Sequence, residues 1–588
     1  MKTYDGNVLV LGSGSRAFLT VIRSLGRIGL NVHVAMFEPG ELALKSRYVS
    51  KVHAVPAYRP GDESWVDAME AILSETPFQL VIPCTDQAVI PLQLHQERLS
   101  RLSRLYVLDD AAYEIAFSKI KSGQLADSLG IPQPKSAVLH AGDSHDVIAD
   151  FSLPMVVKPP SSFSANDLSA KKGVVRCRTR GELATKLQDL DRWGSAIVQE
   201  NFNGVGVGVE MLVRHGNVLV AFQHVRVHEP LEGGGSSYRR SAPLHPELLA
   251  ASKSMMKELG YTGVAMVEFK LNLQTTQWVF VEINGRFWGS LPLAIASGVD
   301  FPRYLYEMLV HDRQEFSQSY RTPMFCRNVS QDQRWMRSNL TADKNDPVLA
   351  TRPLRKVAME PLNLLLLRER WDTLAIDDLR PGITEIKSIF DDAANKAIRV
   401  CRRRLDNTLP VKKWRRWRAS QKATKATNIL FVCKGNICRS PYAEHYARQR
   451  LPKTMSVRSC GYYPVSGRSA PELAQKVARQ RGIDLSSHRS QVIHTELIRE
   501  ADLIFTFDDQ NRETVLTQFP DASDRVFALG NFCTRFPCRV VDPYGGQESG
   551  FQAVYDQIVE AIDHLSDVVG GESAVVTPIV TKVRSDAS

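Results

Sequence analysis

Short apolar runs recur along the chain, each followed by a stretch whose hydrophobic positions fall three and four apart. Asn7-Val8-Leu9-Val10-Leu11 is the first such run, followed by Gly12-Ser13-Gly14-Ser15-Arg16-Ala17 and a helical pattern to Ile28; 32–36 and 78–83 are the next two. Strands alternating with helical stretches predict a parallel α/β sheet. A second block has a different rhythm. Strands are expected at 153–159 and 196–200, a hairpin at 209–213 and 218–222 around His215-Gly216-Asn217, and two more strands at 263–269 and 278–286. A third block repeats the α/β pattern, with strands at 429–432, 455–459 and 502–507 and helices at 442–450, 471–481 and 550–565. The fold class expected is a multidomain α/β chain.

Length agrees with this reading: 588 residues correspond to about four domains. No apolar run approaches the roughly 20 residues that span a bilayer. The N-terminus runs straight into a strand without a signal-peptide pattern. Nine scattered cysteines, an odd number with no zinc spacing, suit a reducing, cytoplasmic setting. The net charge of +10 lies in one place, since 399–425 holds eleven Lys/Arg and one acid, Asp406. The remainder is near neutral, so nucleic-acid binding is not expected. Within that segment Trp414 and Trp417 lie three apart among Lys412, Lys413, Arg415, Arg416 and Arg418. They could meet an acidic membrane surface. The favoured expectation is a solvated connector with the tryptophans packed on a neighbour. The leucine-rich stretch 362–367 is expected to pack on the preceding domain.

The densest chemistry lies in Cys433-Lys434-Gly435-Asn436-Ile437-Cys438-Arg439-Ser440-Pro441, between a strand and a helix. Strand, tight loop and helix N-terminus present N–H groups to an anion. Pro441 suits the first helical position. A cysteine opening such a loop has its thiolate stabilised by those N–H groups and by Arg439. A nucleophile, a phosphate cradle and a guanidinium fork are thus combined. Downstream, Asp542-Pro543 places an acid on a stiff extended loop, a candidate general acid.

With these motifs, residues 428–566 resemble the low-molecular-weight protein tyrosine phosphatase family. The resemblance implies that Cys433 forms a cysteinyl phosphate, Arg439 binds phosphate oxygens, Ser440 hydrogen-bonds the thiolate, and Asp542 serves as acid and then base. It also implies that Asn436, supported by His488 and Asp508, holds the loop, that Tyr544 stacks on the substrate ring, and that Cys438 could form a protective disulfide with Cys433. No cofactor is implied for this half. Gly545 stands where animal members often carry a second aromatic. Lys434 at the pocket mouth would favour acidic peptides around phosphotyrosine. Arsenate reductases share the loop but need a cysteine pair near 503–507, which is missing here. Arginine phosphatases usually carry threonine where Ile437 stands, so a tyrosine-phosphorylated protein is the expected partner.

The second block carries an ordered set: Lys119, Lys158 before Pro159, Gln199-Glu200, Glu210, Glu268, and Glu282-Ile283-Asn284-Gly285-Arg286. Glu268, Glu282 and Asn284 are hard oxygen ligands that two adjacent antiparallel strands can gather for Mg²⁺. Lys119 and Lys158 offer point charges to phosphates, and Arg286 continues the strand face of Glu282 and Asn284. Residues 1–310 thereby resemble an ATP-grasp enzyme of the carboxylate–amine ligase type, with a Rossmann-like domain ahead of an α+β ATP-grasp domain. The resemblance implies ATP and Mg²⁺ (or Mn²⁺) as cofactors. Lys119 and Lys158 would bind phosphates, Gln199 and Glu200 the adenine hinge, and Glu210 the nucleotide site. Glu268, Glu282 and Asn284 would hold the metal, and Arg286 would steady the γ-phosphate or acyl phosphate. A small-molecule carboxylate and an amine are the implied substrates. The loop 161–168 after Lys158 is poor in the glycine usual there, which leaves a non-ligating ATP-binding module as the alternative. Gly12-Ser13-Gly14 reads as a structural turn or a surface for the substrate rather than an NAD site, because no clear ribose-binding acid ends the second strand. The loop 232–237 reads equally as an ordinary surface loop or as a flexible one near the acceptor substrate.

The organisation expected is therefore 1–115 Rossmann-like, 116–310 ATP-grasp, 311–398 an extension of the ligase half without legible chemistry, 399–425 a basic linker, 426–566 phosphatase with a parallel sheet, and 567–588 a tail.

Overall fold

The computed structural model describes residues 3–570 except 37, 39, 165, 166, 170, 189, 232, 345, 347, 348, 407, 408 and 535–538. Residues 165 and 166 of the 161–168 loop, residue 232 of the 232–237 loop and the tail beyond 570 lie outside the described residues. The chain divides into two compact units, 1–391 and 392–588.

In the first unit the expected parallel sheet forms with the strand order Val49–Val52, Asn31–Ala35, Asn7–Leu11, Phe78–Pro83. Val8 and Val10 face one core and Leu9 and Leu11 another, so the run is buried on both sides. The block with the second rhythm makes two further sheets. One has the order Ser136–His140, Ser195–Glu200, Met155–Lys158, Val175–Cys177 and is antiparallel throughout. The other has seven strands: Trp278–Asn284, Gly263–Leu271, Val205–Arg214, Asn217–His228, Tyr238–Ala242, Phe325–Arg327 and Glu369–Trp371. The last pair alone is parallel among these. On Val205–Arg214, Val207, Val209 and Met211 enter the core while Gly206, Gly208 and Glu210 line the other face, the period of two that a strand imposes.

Three strands of the seven, at 238–242, 325–327 and 369–371, have no apolar signature. They are held by charge. Tyr238 donates to Glu369 at 2.8 Å, and Arg239 pairs with Asp372 with both side chains fully buried. The leucines of 362–367 do not pack as expected: Leu365 and Leu367 are 77% and 71% exposed. The segment is anchored by Asn363, which donates to the Tyr238 hydroxyl at 3.0 Å, and by Glu360, which meets His228 at 2.8 Å.

The second unit has a parallel four-stranded sheet in the order Ser456–Gly461, Asn428–Cys433, Leu503–Thr506, Val526–Ala528. The basic segment is helical over Leu409–Ala423. Ala419, Ala423 and Lys412 lie against the core, Lys412 donating to the Cys533 carbonyl. Trp414 and Trp417 are 51% and 60% exposed, so the expected packing of these rings on a neighbour is not found. The helix after Cys433 spans Arg439–Arg450 and starts earlier than expected. Pro441 is its third residue, where the amide still has no intrahelical acceptor.

Candidate active sites

In the second unit, the strand Asn428–Cys433 delivers Cys433 to the sheet edge, and the helix Arg439–Arg450 begins six residues later. Cys433 Sγ lies 3.0 Å from Ser440 Oγ and accepts the Asn436 N–H at 3.2 Å. Asn436 is fully buried in the left-handed region at φ 52°. Its side chain donates to Ser440 at 2.9 Å and Ser459 at 2.7 Å and accepts from Gln491 N–H at 2.8 Å. His488 Nε2 lies 2.8 Å from the Asn436 carbonyl. These bonds close the loop around the thiol. Asn436→Ala loses three of them and keeps the unfavourable φ. Urea unfolding of the second unit is expected to show a loss of about 2–4 kcal/mol.

Arg439 is buried among acids. Its Nη1 meets Asp508 at 2.6 Å and Nη2 meets Asp542 at 2.7 Å, and Nη1 also donates to the Val540 carbonyl. Burial opposes its charge, but Cys433, Asp542 and Asp508 hold its pKa above the usual value. Asp508 thus supports Arg439 rather than Asn436. Burial pushes the Cys438 and Cys460 thiols up. Both are free, as is Cys433. Tyr544, 66% exposed, and Tyr463, 42% exposed, offer aromatic faces in this unit. Gly461 underlies the loop, where a Cβ would stand 2.8 Å from the Asn436 amide and the Lys434 carbonyl.

In the first unit, Glu268 faces Glu282 across two antiparallel strands, and Asn284 is two residues further on the same face. Lys119 opens a helix and its amide donates to the Pro160 carbonyl, which brings it beside the strand of Lys158. Its ammonium meets Glu282 at 2.8 Å and Ser162 at 3.3 Å. Arg226 meets Glu268 at 2.6 Å. Burial raises Glu268; against the same burial, Lys119, Lys158 and Arg286 hold Glu282 low. Lys158 lies on the sheet face shared with Val156, Ile197 and Gln199. Burial lowers its pKa to about 8, Glu282 acting the other way. Glu200 is on the opposite face, where it accepts from the Ser152 amide. Glu210 is fully buried, bonded to Ser290 at 2.6 Å and His224 at 2.8 Å.

Arg286 is held in place by a two-point pair with Asp86, at 2.7 and 2.9 Å, and its Nη1 also donates to the Phe287 carbonyl at 2.9 Å. Asp86, Lys119, Ser162, Glu282, Asn284 and Arg286 line a cavity of about 210 Å³. The donor set fits a divalent ion with phosphates. Two carboxylates and an amide oxygen share one strand face, the hard oxygen donors a divalent ion takes, and Lys119 and Arg226 compensate the carboxylates in its place. The described residues hold no cluster of three His, Cys, Asp or Glu; the expected set has two carboxylates and an amide.

The family described as "Low molecular weight phosphotyrosine protein phosphatase" matches residues 428–574. A "Probable low molecular weight protein-tyrosine-phosphatase EpsP" of Ralstonia nicotianae is 38% identical over 135 residues, 23% of this chain and 90% of that protein. This chain belongs to the low-molecular-weight phosphotyrosine protein phosphatase family. A "Protein-arginine-phosphatase" of Geobacillus stearothermophilus is 31% identical over 139 residues, 24% of this chain and 93% of that protein. "ATP-grasp in the biosynthetic pathway with Ter operon" matches residues 193–331. A solved L-amino acid ligase from Bacillus licheniformis is similar at 20% identity and TM-score 0.41, over 53% of this chain and 75% of that one. The chain thus joins a low-molecular-weight phosphatase to an ATP-grasp region.

Sequence reasoning missed Asp86, His224, Arg226 and Asp372. Asp86 has no local motif, and its partner lies 200 residues away. His224 and Arg226 leave a faint signal in Gly206 and Gly208, glycines on the facing strand that give their side chains room. Among the described residues no helix is long and apolar enough to cross a membrane.

Proposed function

We propose that the phosphatase unit hydrolyses phosphotyrosine in proteins. The observation that carries this reading is the convergence of Cys433, Ser440, Arg439 and Asp542 on one loop. Cys433 Sγ attacks phosphorus and the bond from phosphorus to the phenolic oxygen breaks. Asp542 gives its proton to that oxygen. Arg439 and the loop N–H groups hold the phosphoryl oxygens. Water then attacks the cysteinyl phosphate, Asp542 takes its proton, and inorganic phosphate leaves with the thiolate restored. Ser440 hydrogen-bonds that thiolate. No metal enters this cycle.

Ile437, nearly buried, and the exposed Tyr463 and Tyr544 favour a flat aromatic substrate over a guanidino phosphate. Phosphotyrosine and phosphoarginine peptides of the same sequence test this. Higher kcat/KM on phosphotyrosine is expected, and preference for phosphoarginine contradicts it. Asp542→Asn should lower kcat on phosphotyrosine by about 10²–10⁴. The loss should be smaller on p-nitrophenyl phosphate, whose leaving group needs no proton.

For the first unit we propose an ATP-dependent ligase that activates a carboxylate as an acyl phosphate for attack by an amine. Support comes from Glu268 and Glu282 facing each other beneath Lys119 and Arg226. Glu268, Glu282 and Asn284 would hold Mg²⁺, which supplies charge neutralisation to the phosphates when bound. Lys119 and Lys158 hold phosphate oxygens, and Gln199 lies on the face that meets the nucleotide. Glu200 contributes through its main chain, because its carboxylate is turned away. Glu210 orders His224 and Ser290. Arg286, fixed by Asp86, keeps its remaining N–H groups for the transferring phosphoryl. The functional stretches proposed are 116–310 for the ligase chemistry, 1–115 for substrate contacts and 426–566 for the phosphatase.

A further inference from the structure

The stretch 351–371 carries five basic residues, two acids and a run of four leucines, Leu364 to Leu367. Both acids are turned inward. Glu360 is buried against His228 and Arg327, at 2.8 and 3.1 Å, and Glu369 against Tyr238 and Arg327, each at 2.8 Å. Arg352 reaches back to Glu360 at 3.8 Å. The charge that the stretch shows to solvent is therefore positive. Leu354, Met359, Leu362 and the whole leucine run are exposed, Met359 by 63% and Leu366 by 60%. Arg355, Lys356 and Arg368 are exposed as well and pair with no acid among the described residues. Apolar side chains gathered in this way mark an interaction site, unlike single leucines scattered over a surface.

A fixed backbone holds these leucines out. The short helix Pro361–Leu365 closes in a Schellman motif: the Arg368 N–H donates to the Asn363 carbonyl at 2.8 Å and the Leu367 N–H to the Leu364 carbonyl at 3.0 Å. Leu367 thereby takes the position that glycine usually fills, at φ 57°. Asn363 ties the same turn to the Tyr238 hydroxyl. A leucine placed here combines the backbone strain of the left-handed region with the unfavourable hydration of an exposed apolar side chain. Nothing within the fold offsets either effect by burying it, so the side chain fits a surface that covers it from outside.

We propose that this turn docks the protein on a membrane surface of anionic phospholipid. Leu364 to Leu367 enter the acyl boundary, and Arg355, Lys356 and Arg368 meet the headgroup phosphates. Shape and charge single out a bilayer. Successive residues at a helix end point about 100° apart, so four leucines in a row form a knob, whereas a protein groove takes a stripe at every third and fourth position. A second copy packed face to face would bring the same cations together. The basic segment 399–425 has the same sign and does not complement the patch either. The inference rests on neither of the proposed activities.

The test sediments the full-length protein with phosphatidylcholine vesicles, with and without phosphatidylglycerol. Binding should require phosphatidylglycerol and weaken as salt rises. Leu365→Ser combined with Leu366→Ser should lower the partition coefficient about ten- to hundredfold, the range for withdrawing two leucines from an apolar boundary. Arg355→Gln combined with Lys356→Gln should lower it about ten- to thirtyfold. Leu367→Gly should weaken binding and raise the unfolding temperature of the first unit, because glycine accepts the left-handed turn. Those opposite signs separate docking from a role inside the fold. Trp414→Ser combined with Trp417→Ser should leave binding unchanged. A wild type that binds no vesicles overturns the proposal, as does equal binding by wild type and the leucine pair variant. Loss of binding in the tryptophan variant with none in the leucine variant assigns the contact to the basic helix and overturns it too. So does a wild-type dimer that the leucine variant dissolves, which gives the turn to a second copy, or a lowered unfolding temperature in Leu367→Gly, which gives that side chain to the fold.

Discussion

Cys433→Ser is expected to abolish hydrolysis of p-nitrophenyl phosphate and of phosphotyrosine peptides, by roughly 10⁴-fold or more, the scale for removing a covalent nucleophile. The serine keeps the shape of the loop: Asn436 N–H and Ser440 Oγ still find an acceptor at that position. What is lost is the thiolate, which a hydroxyl flanked by Arg439 cannot replace, because an alkoxide is far harder to form. The variant should therefore still bind phosphate competitively, since Arg439 and the loop amides are untouched. Wild-type turnover in Cys433→Ser, measured as phenolate release, would remove the assignment of this residue.

Lys158→Met should cut ADP release by roughly 10²–10³-fold, because a fixed cation at the phosphates is lost. It should also make the first unit more stable. The folded lysine loses its proton near pH 8, whereas an exposed one does so at 10.5. Between those values the unfolded chain holds more protons, so stability rises with pH across that window. Below about pH 8 the full cost of charging a partly buried ammonium is present. Removing the ammonium is expected to raise stability at pH 7 by about 1–3 kcal/mol. Calorimetric unfolding at pH 7 and pH 10 checks the sign: the gain from Lys158→Met should shrink at the higher pH. A destabilised variant at pH 7 would mean that the lysine is held by favourable contacts rather than by the demands of a ligand.

The phosphatase loop was legible because its chemistry is contiguous. Cys433, Asn436, Arg439 and Ser440 span eight residues, and a strand and a helix on either side leave one way to fold them. Asp542 was legible through its proline. The ligase site was legible only in part. Glu268, Glu282 and Asn284 share strands with strong apolar alternation, so their common face could be read. Arg226 and Asp86 could not, since each acts across a long gap in sequence and sits in no periodic pattern. The strands at 238–242, 325–327 and 369–371 were invisible for a related reason. They are short and are held by Arg239–Asp372 and Tyr238–Glu369, pairs whose residue types normally signal surface. The leucines of 362–367 misled in the opposite direction. Hydrophobicity predicts burial only where another apolar face is available, and here Asn363 and Glu360 make the attachment instead.

ADP release tests the central claim, two separate chemistries in one chain, most directly. The full-length protein is given ATP, Mg²⁺ and pairs of small carboxylates and amines. ADP should form only when both an acid and an amine are present, at the same rate in Cys433→Ser, and should fall to background in Lys158→Met. ATP binding without ADP release for any pair, with the phosphatase rate changing when ATP is added, would contradict the account and make the first unit a nucleotide-sensing partner of the second.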